Sequence, residues 1–388
     1  MRRPSSSLSL LALLLVATAS AASELRGAWT SSPEELSPDK IHLQLVQPHQ
    51  GDERDRGQMG FTEPRASFQG LPAGDGPATF SLSREAGTLT FTGTLQDGAG
   101  AGHYRFTPSE AYAKSMAALG YPKLTALQQF QLATTNVTTQ QVKDLAALGH
   151  KDIPLEKLLM VGIFNVTREF VGELARLGYP KLSLDELVQG RIHGISPRRV
   201  KELADAGFPK LAWKDLLAMS IHGVTPEYIR EVRAMGYTDA DADQLVAFRI
   251  HGISTEFARE MRGLGFKSLK ADKLVALRIH GVSTAFVKEM RELGFKDLGE
   301  DDFVTLRIHE VTSTFVKEMR ALGFPKLTHD QLVAFRIHKV TPEFVKQMRE
   351  AGYTEITPDE LIRLRIHEID GTFMRSMSHR KDGGTGGK

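Results

Sequence analysis

The chain has 388 residues, of which 25% are charged, and its formal net charge at pH 7 is +2. This near balance gives no electrostatic case for a nucleic-acid-binding protein, which normally carries a clear excess of Lys and Arg. The chain has no cysteine, which excludes disulfides, a thiol nucleophile, a cysteine-ligated zinc site and a lipidation cysteine.

Residues 1–21 are predicted to be an export signal peptide. Arg2 and Arg3 precede an apolar run from Leu8 to Ala17, and Ala19-Ser20-Ala21 offers a small-x-small cleavage site. The run is shorter than the ~20 residues that span a bilayer, so we expect cleavage and no membrane span in the mature protein. Retention of the segment as an anchor is the alternative. Export without cysteine favours a bacterial periplasmic or secreted protein.

Residues 24–106 predict a small antiparallel β-domain. Period-two alternation, the mark of half-buried strands, occurs at residues 41–46, 79–83 and 88–92, and a further run covers 103–106. The intervening Ala-Gly and Asp-Gly breaks are typical of tight hairpin turns. We therefore expect four to six strands, forming a small sandwich, an open barrel or a cap over the first helical repeat. The apolar face expected to be buried carries Phe80, Leu82, Leu89 and Phe91.

Residues 107–377 carry a repeat with a period of 29 residues. Its marks are an Arg-Ile-His motif and a glycine in the middle of each unit. The histidine register is His193, His222, His251, His280, His309, His338 and His367. The glycine register is Gly120, Gly149, Gly178, Gly207, Gly236, Gly265, Gly294, Gly323 and Gly352. A fixed period of this size predicts a mainly α protein, an α-solenoid of about nine helix pairs. The Gly-rich residues 378–388 are predicted to be a disordered tail.

Each unit predicts two short helices. In the unit that starts at His222, Thr225 is a predicted N-cap and Gly236 a predicted helix stop. The apolar positions of this first helix are Tyr228, Ile229, Val232 and Met235. The second helix starts near Asp241 and ends at His251-Gly252, and its apolar positions are Leu245, Val246, Phe248 and Ile250. Capping boxes are predicted at Thr125/Gln128, Ser183/Glu186, Thr328/Gln331 and Thr357/Glu360.

The candidate ligand contacts belong to the Arg-Ile-His motif. They are Arg191, Arg249, Arg278, Arg307, Arg336, Arg365, His251, His280, His309 and His338. Ser220 interrupts the arginine register. Two interpretations of the arginines stay open. One is an ion-pair ladder with an acidic column on the first helices, formed by Glu202, Glu231, Glu260, Glu289 and Glu318. The other is a basic stripe that binds an anionic or peptide ligand.

The histidines are expected to bond the free carbonyls at the helix ends. A ladder that senses pH or binds an extended ligand is the alternative. Equivalent histidines lie about 10 Å apart by the usual distance between packed helices, which is too far for two of them to share one zinc ion. We therefore expect no metal or other cofactor. In the last three units Glu310, Lys339 and Glu368 replace the glycine after the histidine.

The strings at 245–253 (Leu-Val-Ala-Phe-Arg-Ile-His-Gly-Ile) and 257–266 resemble a repeat found in many bacterial proteins. It occurs notably after the peptidase domain of some sensor metallopeptidases of the beta-lactam-response type. The resemblance covers residues 107–377 and implies a helical interaction array. It does not carry over peptidase activity, because the zinc motif and the membrane helices of those proteins are missing here.

These observations predict an exported, non-enzymatic scaffold that binds a protein or peptide along a repeat-lined surface. The sequence contains no H-E-x-x-H zinc motif, nucleophile elbow, Walker loop or dinucleotide fingerprint. Two alternatives remain: a nucleic-acid-binding array that uses the arginine column, and an enzyme or ligand site in the β-domain.

Overall fold

A computed structural model describes residues 25–33, 38–46, 57–266, 268–371 and 373. The predicted signal peptide (1–21) and tail (378–388) lie outside the described residues. The chain divides into two compact units after Pro197. The first contains the β-sheet and the helices that follow it, and the second contains the later helices.

The described N-terminal residues form one six-stranded antiparallel sheet, at the upper end of the predicted range. The strand order is β3-β2-β1-β6-β5-β4, so two three-stranded meanders meet where β1 pairs with β6. The strands are β1 Leu25–Pro33, β2 Lys40–Val46, β3 Gln58–Pro64, β4 Gly76–Arg84, β5 Gly87–Gln96 and β6 Ala99–Pro108. Strands β1 and β3 were not among the predicted runs.

An aromatic cluster fills the inner face of this sheet. Phe80 on β4 pairs with Phe91 on β5 across the strands, and their rings stack with centroids 4.8 Å apart. Trp29 on β1 meets the Phe80 ring edge-on at 5.3 Å, and Phe68 does so at 5.7 Å. The four residues predicted to form the apolar face are all buried. Burial of this aromatic area is the main stabilising contribution to the sheet.

The sheet also packs against helix α2 (Ala126–Thr134). The Phe130 ring is fully buried and stacks on Tyr104 of β6, with centroids 5.5 Å apart. Removal from water raises the pKa of Tyr104 to about 12. Glu85, in the β4–β5 turn, accepts a hydrogen bond of 2.9 Å from the main-chain N–H of Thr139, the first residue of the next helix. The sheet therefore packs against the first helices that follow it.

The described residues after the sheet form 18 helices of nine residues each, two in every 29-residue repeat. The mainly α class is therefore confirmed. The first helices of the repeats are α1 Glu110–Ala118, α3 Thr139–Ala147, α5 Arg168–Arg176, α7 Pro197–Asp205, α9 Pro226–Ala234, α11 Thr255–Gly263, α13 Thr284–Glu292, α15 Ser313–Ala321 and α17 Pro342–Glu350. The second helices are α2 Ala126–Thr134, α4 Leu155–Ile163, α6 Leu184–Ile192, α8 Trp213–Ile221, α10 Ala242–Ile250, α12 Ala271–Ile279, α14 Glu300–Ile308, α16 His329–Ile337 and α18 Pro358–Ile366.

Side-chain caps fix where the helices begin. All four predicted capping boxes are present. In eight first helices a Ser or Thr hydroxyl accepts a hydrogen bond from the main-chain N–H three residues later, as Thr225 does from Tyr228. Every glycine of the mid-repeat register has a positive φ, and Gly236 ends α9 as predicted, with φ 92°. An isolated nine-residue helix is marginal in water, so packing against neighbouring repeats must hold these helices together.

Equivalent helices of successive repeats contact each other. In the second unit α8, α10, α12, α14, α16 and α18 form one such series, and α11, α13, α15 and α17 form another. The predicted apolar positions of α9 are buried, and so are Leu245 and Phe248 of α10. The repeat core therefore lies between a layer of first helices and a layer of second helices.

We predict that Phe130→Ala lowers the free energy of unfolding of the first unit by about 3–5 kcal/mol, since it leaves a cavity between sheet and helix. The measurement is urea unfolding followed by circular dichroism and by the fluorescence of buried Trp29. Leu127→Ala, in the same helix but with 39% of its surface exposed, is the control and should cost about 1 kcal/mol or less. Equal effects of the two changes would contradict this interface.

Candidate functional site

The six arginines of the Arg-Ile-His motif, here the second-helix arginine column, lie at the C-terminal ends of the second helices. Four of them donate from Nε to a main-chain carbonyl at the end of the equivalent helix one repeat earlier. Arg191 donates to Phe164 (2.8 Å), Arg278 to His251 (3.2 Å), Arg336 to His309 (3.2 Å) and Arg365 to His338 (3.3 Å). Arg249 donates to Gly223 from both Nε and one terminal nitrogen. The column thus satisfies carbonyls that a helix end leaves free.

Each of these guanidinium groups also lies over an aromatic ring of the intervening first helix. The distance from guanidinium carbon to ring centroid is 4.0 Å for Arg249 over Tyr228 and 4.9 Å for Arg278 over Phe257. The remaining pairs are Arg191/Phe170, Arg307/Phe286, Arg336/Phe315 and Arg365/Phe344, at 4.9–5.2 Å. One arginine therefore links three successive helices by a charged hydrogen bond and a cation–π contact.

The ion-pair ladder, one of the two interpretations of this column, is not what the structure shows. Among the described residues, no ion pair joins these arginines to the column formed by Glu202, Glu231, Glu260, Glu289 and Glu318. The column's one ion pair in this part of the chain is between Arg336 and Glu310, at 2.8 Å. The carbonyl contact replaces the carboxylate contact because the arginines lie at the helix ends.

Two repeats that lack the arginine also lack the ring. At Ser220, where the register is interrupted, the ring position holds Arg199, which donates to the carbonyl of Val224 at 2.6 Å. The same exchange occurs in an earlier repeat, where Gln141 occupies the ring position and donates to Val166 at 3.2 Å. In the first repeat the Tyr112 hydroxyl donates to the equivalent carbonyl, Val137, at 2.9 Å. Arginine and ring are thus lost together in these two repeats, whereas the first repeat keeps the ring of Tyr112 without the arginine.

A second arginine column was missed by the sequence analysis. It consists of Arg233, Arg262, Arg291, Arg320 and Arg349, near the C-terminal ends of the first helices. Arg262 lies over Tyr237 and Arg291 over Phe266, each at 5.2 Å from guanidinium carbon to ring centroid. Arg320 and Arg349 also donate to the carbonyls of Leu293 and Leu322, the C-caps one repeat earlier. The fixed 29-residue spacing of arginine, glycine and ring is the signal that could have revealed it.

The glycine before the ring leaves room for the guanidinium at Gly236, Gly265 and Gly323. A Cβ at Gly323 would lie 2.9 Å from a terminal nitrogen of Arg349, and φ there is 85°. The backbone turn favours glycine at this position, and at Gly323 the arginine also approaches closely.

The histidines are the C-cap residues of the second helices from α6 onward. Their imidazoles were expected to bond the carbonyls of the helix end. Within the described residues none of them does so, and the arginines take those carbonyls instead. The candidate residue His280 is exposed, and His251, His309 and His338 are half-exposed.

The isoleucine of the motif forms an exposed row on the second helices. In the second unit this isoleucine row consists of Ile221, Ile250, Ile279, Ile308, Ile337 and Ile366, and in the first unit Ile163 and Ile192 stand at the same helix position; each has 45–55% of its surface exposed. Ile250 was predicted to be an apolar position of its helix. It lies outside the core that contains Leu245 and Phe248. A single exposed isoleucine needs no explanation, but the same residue at the same exposure in successive repeats is an apolar surface feature.

The residue after each of these histidines has a left-handed backbone whether or not it is glycine. Its φ is 60° at Gly252, 53° at Glu310, 55° at Lys339 and 57° at Glu368. The closing hydrogen bond of the helix is the same in both cases: Ile253 to Phe248 at 2.8 Å, and Val340 to Phe335 at 2.7 Å. The last helices thus end as sharply as the earlier ones, at a cost of about 1–2 kcal/mol of backbone strain for each non-glycine residue.

One isoleucine of the row, one histidine and two of these charged residues meet in a cavity of about 320 Å³. It is lined by Ile308, His309, Glu310, Arg336 and Lys339, over a floor that includes Phe335 and Val340. A cavity of about 310 Å³ lies against the equivalent positions Arg249 and Gly252 three repeats earlier. The surface at the ends of the second helices is therefore indented, partly apolar and charged in its last repeats.

No protein-family model matches this chain, and no curated protein is significantly similar to it. In the part of the chain that the structure describes, no helix combines the length and the apolar character needed to cross a membrane. The same residues contain no group of three or more His, Asp or Glu side chains arranged to hold a metal ion.

We predict that Arg278→Met lowers the free energy of unfolding of the second unit by about 1–2 kcal/mol. Methionine keeps the apolar contact with Phe257 but loses the charged hydrogen bond and the cation–π contact. Arg230→Ala is the control, because Arg230 is two-thirds exposed and pairs only with Glu227, and it should change stability by about 0.5 kcal/mol or less. Thermal and urea unfolding measure both. If both variants are equally stable, the arginines are not structural links.

We predict that Lys339→Gly raises the free energy of unfolding by about 1 kcal/mol, because glycine removes the strain of a positive φ. Lys339→Ala keeps a Cβ and should leave stability unchanged within about 0.5 kcal/mol. The comparison is made by urea unfolding of the three proteins. A glycine variant no more stable than the alanine variant would show that the backbone here carries no strain.

Proposed function

We propose that this protein is an exported, non-enzymatic scaffold whose helix pairs stack as an α-solenoid and whose isoleucine row binds a protein or peptide. The observation that carries the proposal is the row itself, with half of each isoleucine surface open to solvent in successive repeats. Helix propensity does not require isoleucine at an exposed position, since Ala, Leu or Lys favours the helix more. An apolar row kept there is best explained by a partner that covers it.

The stacking proposal is supported by contacts that pass between repeats at both helix ends. At the N-terminal ends, Lys273 of α12 pairs with Asp301 of α14, and in the first unit Lys157 of α4 pairs with Asp185 of α6 at 2.6 Å. At the C-terminal ends the arginines join the same kind of neighbours. Equivalent helices therefore run parallel, as they do in stacked repeats.

The arginines of the second-helix column are engaged mainly in contacts that stabilise the fold. In five of the six the Nε–H group is bonded to a main-chain carbonyl, the exception being Arg307, and all six guanidinium groups lie on rings. A partner is thus expected to contact the isoleucines and the neighbouring His251, His280, His309 and His338. The arginines contribute there through their remaining N–H groups. A nucleic-acid-binding role would have to use the same engaged guanidinium groups.

Export is supported by the sequence of residues 1–21 alone, which resembles a cleavable signal and lies outside the described residues. A cysteine-free exported chain suits the bacterial periplasm or secretion better than a eukaryotic lumen, where small domains often carry disulfides. The proposal therefore places the binding surface in the bacterial periplasm or outside the cell.

The test changes four isoleucines to threonine: Ile250, Ile279, Ile308 and Ile337. Threonine keeps the β-branch but shortens the apolar surface, so we expect partners recovered from envelope extract to fall at least about tenfold. The matched control changes Arg259, Lys288, Lys317 and Lys346 to threonine. These four residues are exposed at one repeat position on the first helices.

Both variants are checked by circular dichroism and thermal unfolding. We expect their unfolding midpoint temperatures to shift by only a few degrees. Binding that is lost in the isoleucine variant and retained in the control supports the row as the contact surface. Equal recovery of partners by the isoleucine variant and the unmodified chain would reject it.

A further inference from the structure

Three charged residues lie at strained backbone positions beside the isoleucine row. They are Glu310, Lys339 and Glu368, the successors of Gly194, Gly223, Gly252 and Gly281 in the same register. The Lys339 and Glu368 side chains are exposed and make no hydrogen bond or ion pair with the described residues. Glu310 pairs with Arg336, yet 80% of its side chain stays exposed. Strain that no internal contact offsets is found where a site needs a particular side chain.

The charges border the apolar row. Ile308, Glu310 and Lys339 line the same cavity of about 320 Å³. A ligand that contacts the isoleucine there therefore also lies next to both charged side chains. Along the last three repeats the charge at this position alternates: negative, positive, negative. One class of partner is complementary to that alternation.

We propose that the last three repeats bind an extended peptide segment with a basic, an acidic and a basic residue at every third position, separated by apolar residues. Equivalent positions on packed helices lie about 10 Å apart, and an extended polyproline II chain advances about 3.1 Å per residue with three residues per turn, so every third side chain points the same way. Three residues of an extended peptide therefore match one repeat. The inference rests on the proposed function, because it assigns a partner chemistry to the same surface.

The order of charges, negative, positive, negative, is the same from either end of the array. A peptide with the complementary order of charges therefore fits in either chain direction. Basic residues of the peptide face Glu310 and Glu368, and its acidic residue faces Lys339. The apolar residues between them cover Ile308, Ile337 and Ile366. The charges select the peptide and the isoleucines supply apolar contact, a division usual in protein interfaces.

The experiment uses two fluorescein-labelled peptides on the full chain. One carries Lys-x-x-Glu-x-x-Lys and the other the reversed Glu-x-x-Lys-x-x-Glu, with identical isoleucine and leucine residues at x. We expect the first to bind about tenfold tighter by fluorescence anisotropy at low salt, and the preference to shrink as salt rises.

Two variants test the assignment. Glu310→Lys with Lys339→Glu and Glu368→Lys should invert the preference. Glycine at all three positions should abolish it without lowering stability, since glycine is the residue of the earlier repeats. An unchanged preference in either variant, equal binding of both peptides, or no binding of either would overturn the inference.

The outcomes separate this inference from the proposed function. If both peptides bind equally and the four isoleucine substitutions abolish both, the row is a binding surface but the charges do not select its partner. If the isoleucine substitutions leave the preferred peptide bound, the row is not the surface and both proposals fail.

Discussion

The contact on which the helical region depends is the guanidinium group that lies on a ring and donates to the carbonyls of the preceding repeat. Nine-residue helices have few internal hydrogen bonds, and packing equivalent helices parallel brings their negative ends together. Arg278 compensates for both effects. Its positive charge lies at the negative end of α10, and its guanidinium plane packs on Phe257 of α11 and so links the short helices. Acidic residues such as Asp272 and Asp301 in the first turns of α12 and α14 do the same at the positive ends. Removing the arginine would leave carbonyl groups, a ring face and a cluster of like dipole ends uncompensated.

This assignment changes which residues are free to bind a partner. The arginine column is the most conspicuous feature of the sequence, yet its polar atoms are largely engaged by the fold. The isoleucine between arginine and histidine contributes little to the core and remains half-exposed. The division is physical: a long, charged side chain at a helix end can reach the next repeat, whereas a short branched one at the following position points away from it. A partner is therefore expected to cover apolar surface first and to use charge for selection.

The elements that local chemistry dictates were predictable from the sequence. Thr125, Ser183, Thr328 and Thr357 form capping boxes because the cap and its acceptor lie three residues apart. Gly236 ends its helix because a positive φ favours glycine. The exposure of Ile250 was not predictable, because a helical stripe does not show how wide the buried face is. Strand β3 was missed because Gln58–Pro64 is an edge strand whose residues are exposed or only partly buried, so its alternation is weak. The partners of the arginines depend on the stacking of repeats, which no local pattern encodes.

The links between repeats join neighbouring repeats in both directions, backward as from Arg278 to His251 and forward as from Arg199 to Val224. Each 29-residue segment therefore carries donors and acceptors for both of its neighbours. A duplicated segment inserted in register would bring both halves of its contacts with it, and a deleted one would leave matching neighbours. Such an array lengthens or shortens by copying, without redesign of the core. This accounts for a period held without a single insertion while individual positions, such as Ser220 with Arg199, change in pairs.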